Sequence, residues 1–246
     1  MTPIKIFITT WHRVELLERC LREIKERTAT PHEVIVFDNG SDPDEVKCIK
    51  EMHVDHKCDG LILWPHNTGP YFPKACYYAM TTPEDTYYVS NDADTFPPKV
   101  EPDWLSRMIS EMNAYPDLGV ISPQVPPQYM QEPYEERGNH VLCKAVGNQL
   151  SLVRRSAWPV ATWPQETGKF GDDSLRSQRM LENGFKTAFM LNTWCMHGQQ
   201  CKNWGYTEEQ VAKDPRKLKY DAPYLYRYYI NTYEPAEELS HNWRTK

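Results

Sequence analysis

Asp92 and Asp94 stand one residue apart in Asn91-Asp92-Ala93-Asp94, directly after the run Thr86-Tyr87-Tyr88-Val89. In extended backbone, positions i and i+2 point the same way, so the two carboxylates can converge on one ligand. Two hard oxygen donors suit a divalent cation such as Mg²⁺ or Mn²⁺. Such a cation in turn suits a diphosphate. Taken alone, the pair reads equally well as a solvated acidic turn before Pro97-Pro98.

The elements around this pair decide between the two readings. Ile4 to Thr10 reads as a first strand, and Val14, Leu17, Leu21 and Ile24 fall at helical spacing up to about Thr28. Glu33 to Phe37 is a continuous apolar run, as expected of a strand buried on both faces. Asp42-Pro43 opens a second helix, with Pro in its first turn. Leu61 to Trp64 is a third strand, residues 72–80 a short helix, and the strand before Asp92 a fourth. This alternation predicts an α/β fold, with a mostly parallel central sheet flanked by helices. Polar residues gather after each strand, at Thr9-Thr10, Asp38, Asn67 and Asp92. In open α/β sheets the ligand crevice lies at those carboxyl ends.

The second half reads differently. A helix is expected over Asp103–Ala114, a strand over Leu118–Ser122, and a long loop or flap from Pro123 to His140. Val146 to Arg154 returns as a strand, Trp158 to Gly171 is a loop, and Asp172 to Asn183 is a helix stopped by Gly184. Phe185–Leu191 and Thr193–Met196 are strand-like. The expected organisation is one domain over 1–246. Residues 1–100 form a nucleotide half, 101–200 an acceptor half, and 201–246 an aromatic C-terminal extension.

Bulk properties narrow the partners. A formal net charge of -6 gives no broad cationic field for nucleic acid or an anionic membrane. No apolar run approaches the length of a membrane span, and the N-terminus lacks the pattern of a signal peptide. The seven cysteines are odd in number and scattered, which fits reduced thiols in a cytoplasmic protein. Cys48, His53, His56 and Cys58 lie close together, but their spacing fits no common closed zinc site.

The ordered series Thr9-Thr10, Asp38-Asn39-Gly40-Ser41, Asn67-Thr68-Gly69, Asp92-Ala93-Asp94, Gly171-Asp172-Asp173, His197 resembles a GT-A-fold glycosyltransferase of the family 2 type, over roughly residues 4 to 198. The resemblance implies a smaller acceptor-side sheet beside the central one. It also implies a nucleoside diphosphate sugar as donor, a UDP-sugar in first place, with Mn²⁺ or Mg²⁺ as cofactor. Thr9 and Thr10 would lie against the nucleotide, and Asp38 would accept a base N–H, as uracil or guanine offers. Asn67 and Gly69 would let backbone approach the nucleotide or diphosphate, and Lys74 would face phosphate. Asp94 becomes the direct metal ligand, Asp92 a contact to ribose, metal or both, and His197 a third metal ligand. Asp173 corresponds to the catalytic base and Asp172 to its partner, although an Asp at a helix start is also a normal cap. Asp172 departs from the family's Glu, so which of the two acids is the base stays open.

The reading that follows is a metal-dependent glycosyltransferase acting on an acceptor hydroxyl, with inversion. A retaining transferase is the alternative within the fold. The acceptor expected is a glycan or small molecule. A polymer such as modified DNA is an alternative, motivated by the seven tyrosines between Tyr206 and Tyr233 and the basic residues among them. Trp163 and Phe170 could pack on a sugar face. A nucleotidyltransferase is disfavoured because Thr9-Thr10-Trp11-His12-Arg13 lacks glycines. The non-enzyme alternative is a nucleotide-sugar or carbohydrate-binding protein that has lost catalysis. It would have no need of both the paired acids and a base.

Overall fold

The computed structural model describes residues 2–68, 71–124, 131–158 and 172–197. The first half follows the expected alternation: β1 (Ile4–Thr10), α1 (Val14–Arg27), β2 (His32–Asn39), α2 (Pro43–Val54), β3 (Gly60–Trp64), α3 (Tyr71–Met80) and β4 (Tyr87–Asp92). The apolar face of α1 is buried through Leu17, Leu21 and Ile24. Asp42 caps α2 in a reciprocal capping box with Glu45, and Pro43 sits in the first turn. A short strand, β5 (Thr95–Phe96), follows.

The second half contains α4 (Trp104–Ala114), β6 (Leu118–Gln124), β7 (Gln131–Arg137), β8 (His140–Ala145), β9 (Ser151–Arg154), α5 (Asp172–Glu182), β10 (Lys186–Trp194) and β11 (Met196–His197). Asp103 caps α4 by accepting from the N–H groups of Leu105 and Ser106 at 3.0 and 3.2 Å. Gly184, at φ 85°, turns the chain out of α5.

Nine strands form one sheet in the order β3-β2-β1-β4-β9-β6-β10-β8-β7, and β5 pairs with β11 in a separate two-stranded ribbon. β3, β2, β1 and β4 run parallel. β9 enters antiparallel to both β4 and β6. β10 lies parallel to β6, and β8 and β7 continue antiparallel. Helices pack along the sheet, α4 against β6 and β9, and α5 against β8 and β10. No helix among the described residues is long and apolar enough to cross a membrane.

One expectation is overturned. The stretch read as a long loop from Pro123 to His140 holds the strand β7, which pairs with β8. Residues 133–136 are exposed, and the register shifts between Pro133 and Glu135. β7 is the outermost strand of the sheet. An edge strand tolerates Pro and charged residues because one side needs no ladder and no burial. The strand read over Val146–Arg154 is divided too. β8 ends at Ala145, and only Ser151–Arg154 is β9, leaving Val146 to Leu150 as a connection.

Candidate active site

Parallel pairing in register aligns the strand ends that carry the polar groups. Thr10 lies opposite Asp38 across β1 and β2, and Thr9 lies opposite Asp92 across β1 and β4. Asn39 lies opposite Trp64 across β2 and β3. Thr9, Thr10, Asp38 and Asp92 therefore share one rim of the sheet. α3 is fixed over this rim by Tyr77, whose ring stacks on Phe7 at 4.6 Å and whose hydroxyl hydrogen-bonds that of Thr9.

Asp38 is buried, with both carboxylate oxygens engaged by Ser41. Ser41 Oγ donates to Oδ1 at 2.5 Å and the Ser41 N–H to Oδ2 at 3.2 Å. Burial pushes the Asp38 carboxyl up, and the bonds from Ser41 pull it back in part. The next loop is pinned to this turn. Asn39 Oδ1 accepts from Thr68 N–H and Oγ1 at 3.1 and 2.9 Å, and Asn39 Nδ2 donates to Asn67 at 3.2 Å. Gly40 makes the approach possible. Its φ is 87°, and a Cβ there would stand 2.4 Å from the His66 carbonyl carbon. Gly69 lies outside the described residues.

The acidic turn is built by Asn91, which is fully buried at the end of β4. Its Nδ2 donates to the Thr95 carbonyl at 3.2 Å and its Oδ1 accepts from Leu150 N–H at 2.9 Å. The Ala93 N–H donates to the Thr9 carbonyl at 3.0 Å. Asp94 is 1% exposed and receives Arg13 Nη1 on Oδ2 at 2.5 Å. His197 faces Thr95 across the β5–β11 ribbon, so its backbone lies opposite the neighbour of Asp94. The side chain of His197 lies outside the description.

Asp173 comes from α5, far along the chain, and Lys74 on α3 reaches it. Lys74 is buried, and its Nζ donates to Asp173 Oδ1 at 2.8 Å. Arg176, one turn further along α5, stands 3.7 Å from the same oxygen. Burial pushes the Asp173 carboxyl up. The Lys74 and Arg176 charges outweigh burial and leave it below the ordinary carboxylate value. Burial lowers the Lys74 ammonium, against the pull of Asp173. Asp172 begins α5, and its side chain lies outside the description.

Asn148, in the connection before β9, joins the two acidic groups. Its Nδ2 donates to Asp92 Oδ1 at 2.7 Å, and its carbonyl accepts from Asp92 N–H at 3.2 Å. Its backbone helps to lower the Asp173 carboxyl. Its Oδ1 accepts from Ser90 Oγ at 2.5 Å. Burial raises the Asp92 carboxyl to about 6; Lys74 opposes that rise, and the charges of Asp94 and Asp173 add to it. Three carboxylates thus crowd one end of the sheet. A crowded set of hard oxygen donors fits a divalent cation of the Mg²⁺ or Mn²⁺ kind.

Neither Asn148 nor Arg13 has a role in the sequence reading. Arg13 had a readable signal. It stands at the N-cap position of α1, where the helix dipole disfavours a cation unless an anion holds it. Asn148 had only the turn-forming pair Gly147-Asn148, because its partners come from remote strands. Cys48, His53, His56 and Cys58, close in sequence, are not gathered into one donor set. His53 Nδ1 approaches Cys58 Sγ at 3.7 Å, while Cys48 is exposed and Cys58 buried. His12, Asp42 and Glu45 do come together. They are accounted for by the α2 capping box and by the 2.5 Å contact of His12 Nδ1 with Glu45. Among the described residues all six cysteines are free thiols. Trp163, Phe170 and the tyrosine-rich segment from residue 206 lie outside the description.

A family model described as glycosyl transferase family 2 matches residues 5–185. A search of curated protein sequences finds no match. Among solved structures, the chain is similar to the mannosyltransferase PcManGT from Pyrobaculum calidifontis, in complex with GDP-Man and Mn²⁺. The TM-score is 0.63 at 16% identity, over 98% of this chain and 67% of that one. It is also similar to GalNAc-T7 with UDP, GalNAc and Mn²⁺, with TM-score 0.66 at 11% identity over 97% of this chain, which spans 53% of that one. S. aureus TarS 1–349 in complex with UDP-GlcNAc aligns with TM-score 0.59 at 12% identity, over 94% of this chain and 72% of that one. At these identities the likeness is one of fold.

Proposed function

The chain belongs to glycosyl transferase family 2 and has the GT-A fold, and from that membership we propose that it moves a sugar from a nucleoside diphosphate sugar to an acceptor hydroxyl, with inversion and with a divalent cation. The observation that carries this reading is the gathering of Asp92, Asp94 and Asp173 at one end of the sheet, with Asn148 donating to Asp92 at 2.7 Å and Lys74 to Asp173 at 2.8 Å. A donor-holding acid and a proton acceptor are thereby held in one fixed relation.

Asp94, Asp92 and His197 are the residues proposed to hold Mn²⁺ or Mg²⁺. A cation bound there would supply Lewis-acid stabilisation of the charge that gathers on the departing diphosphate. Asp38 accepts an N–H of the base, which suits uracil or guanine, and we place UDP first. Thr9, Thr10, Asn67 and Gly69 line the approach of the nucleotide. Asp173 takes the proton of the acceptor hydroxyl as its oxygen attacks the anomeric carbon. Lys74 is a positioning residue. Its bond to Oδ1 fixes the carboxylate and leaves Oδ2 to face the acceptor. Asp172 is the partner acid at the helix start.

The test is a panel of nucleotide sugars with Mn²⁺, followed by release of the nucleoside diphosphate. Release with one or more donors, abolished by chelator and by Asp94→Ala, is expected. No release and no donor binding across the panel, with or without metal, would overturn the proposal. Product stereochemistry decides between inversion and retention.

A further inference from the structure

Arg13 and Asp94 form an ion pair at 2.5 Å, with the Asp94 side chain 1% exposed and that of Arg13 18% exposed. Burying a carboxylate without a compensating charge is costly, and removing one partner of such a pair leaves the other uncompensated. Arg13 is therefore a structural counter-ion of Asp94. Its position is otherwise unfavourable for a cation. It is the N-cap of α1, at the positive end of the helix dipole, and makes no side-chain capping bond.

We propose that Arg13 is an exchange residue: it holds Asp94 in the metal-free site, yields that carboxylate to the divalent cation, and passes its guanidinium to the donor diphosphate. This rests on the reading of Asp94 as a metal ligand. A divalent cation and a guanidinium on the same carboxylate repel each other, so metal on Asp94 weakens the hold of that carboxylate on Arg13. A diphosphate is the natural next partner, because a planar guanidinium matches phosphate oxygens with two parallel bonds. The exchange makes metal and nucleotide binding cooperative. Metal alone weakens the pair with Asp94, whereas nucleotide also offers Arg13 a diphosphate. Such coupling must run both ways.

The experiment measures Mn²⁺ affinity of the full chain by electron paramagnetic resonance of free Mn²⁺, alone and with UDP or, in parallel, GDP. Wild type is expected to bind Mn²⁺ weakly alone and more tightly with a diphosphate. Arg13→Met is expected to bind Mn²⁺ alone about tenfold more tightly than wild type, a typical coupling magnitude, and to lose most of the enhancement by nucleotide. Arg13→Gln drops the charge while keeping a polar side chain, and carries the same expectation if Arg13→Met does not fold. Unchanged or weaker Mn²⁺ binding in these variants overturns the exchange. So does a wild-type titration in which neither diphosphate tightens Mn²⁺. Asp94→Asn separates the two readings. If it binds Mn²⁺ as wild type does, Asp94 is not a ligand and both readings fall. If it loses Mn²⁺ while the Arg13 variants fail to tighten, only the exchange falls.

Discussion

Asn148 grips Asp92 from two sides, through an amide N–H on Oδ1 at 2.7 Å and a carbonyl that accepts the Asp92 N–H at 3.2 Å. The side-chain bond aims the carboxylate, and the main-chain bond fixes the connection before β9 against the end of β4. Asn148→Ala removes the first and spares the second. The expected result is a fall in kcat/KM of about 10–100-fold, the usual effect of removing a group that orients a ligand, with the fold retained. Steady-state kinetics on the donor identified in the panel, beside a circular dichroism melt, checks both halves. An unchanged kcat/KM would mean that Asp92 needs no orienting.

The two acids at the start of α5 are separable by substitution. Asp173→Asn keeps the shape and removes the proton acceptor. Donor binding should persist while transfer falls by about 10²–10⁴-fold, the typical worth of general-base help. Calorimetry with the nucleoside diphosphate and Mn²⁺ reports the first, and product formation the second. The same signature in Asp172→Asn, with Asp173→Asn active, would move the base to Asp172.

On the proposed role of Asp173 as base, Lys74 sets the pH range over which it acts. Burial raises that carboxyl, and Lys74 is the first of the charges that bring it below its ordinary value. The acid limb of kcat/KM in the wild type should therefore lie below the usual Asp range of about 4. In Lys74→Met the lowering charge is gone while burial remains, so the limb should move to higher pH. A pH profile of both proteins measures it. A limb that stays in place or moves lower would remove Lys74 from the base.

Gly40 supports the nucleotide side by backbone geometry alone. An alanine there meets a left-handed φ of 87° and the main chain of His66 and Asn67, 2.4–2.6 Å from its Cβ. Strain at one such residue costs about 1–3 kcal/mol, and main chain cannot move aside as a side chain tip can. Gly40→Ala should lower the urea midpoint by a corresponding amount and weaken nucleotide binding. Chemical denaturation and a UDP titration test the two effects.

The donor side was legible because its signals are local. β2 announces itself by a continuous apolar run, α2 by Asp42-Pro43 with Glu45, and the polar ends of β1, β2 and β4 by their place after strands. The catalytic side was less so. β7 carries Gln, Glu, Pro and Arg in an exposed edge position, where no buried face imposes alternation. The role of Asn148 depends on β9 lying between β4 and β6, a pairing across about sixty residues of chain that no local pattern encodes. Lys74 read as a contact to phosphate after a glycine-containing loop. Its buried bond to Asp173 joins residues 99 positions apart.

The reversed strand β9 also has a consequence for how the chain comes into being. β1 to β4 and their helices are synthesised first and make their parallel ladder among themselves, as N-terminal units commonly do during translation. Asn148 and Asp173 emerge later, and β9 must insert against β4 before they meet Asp92. The nascent protein therefore assembles the rim of Thr9, Thr10, Asp38 and Asp92 before Asp173 stands beside it. Partial unfolding that starts between β4 and β9 runs the same sequence backwards, so mild urea should silence transfer while the first four strands still resist hydrogen exchange.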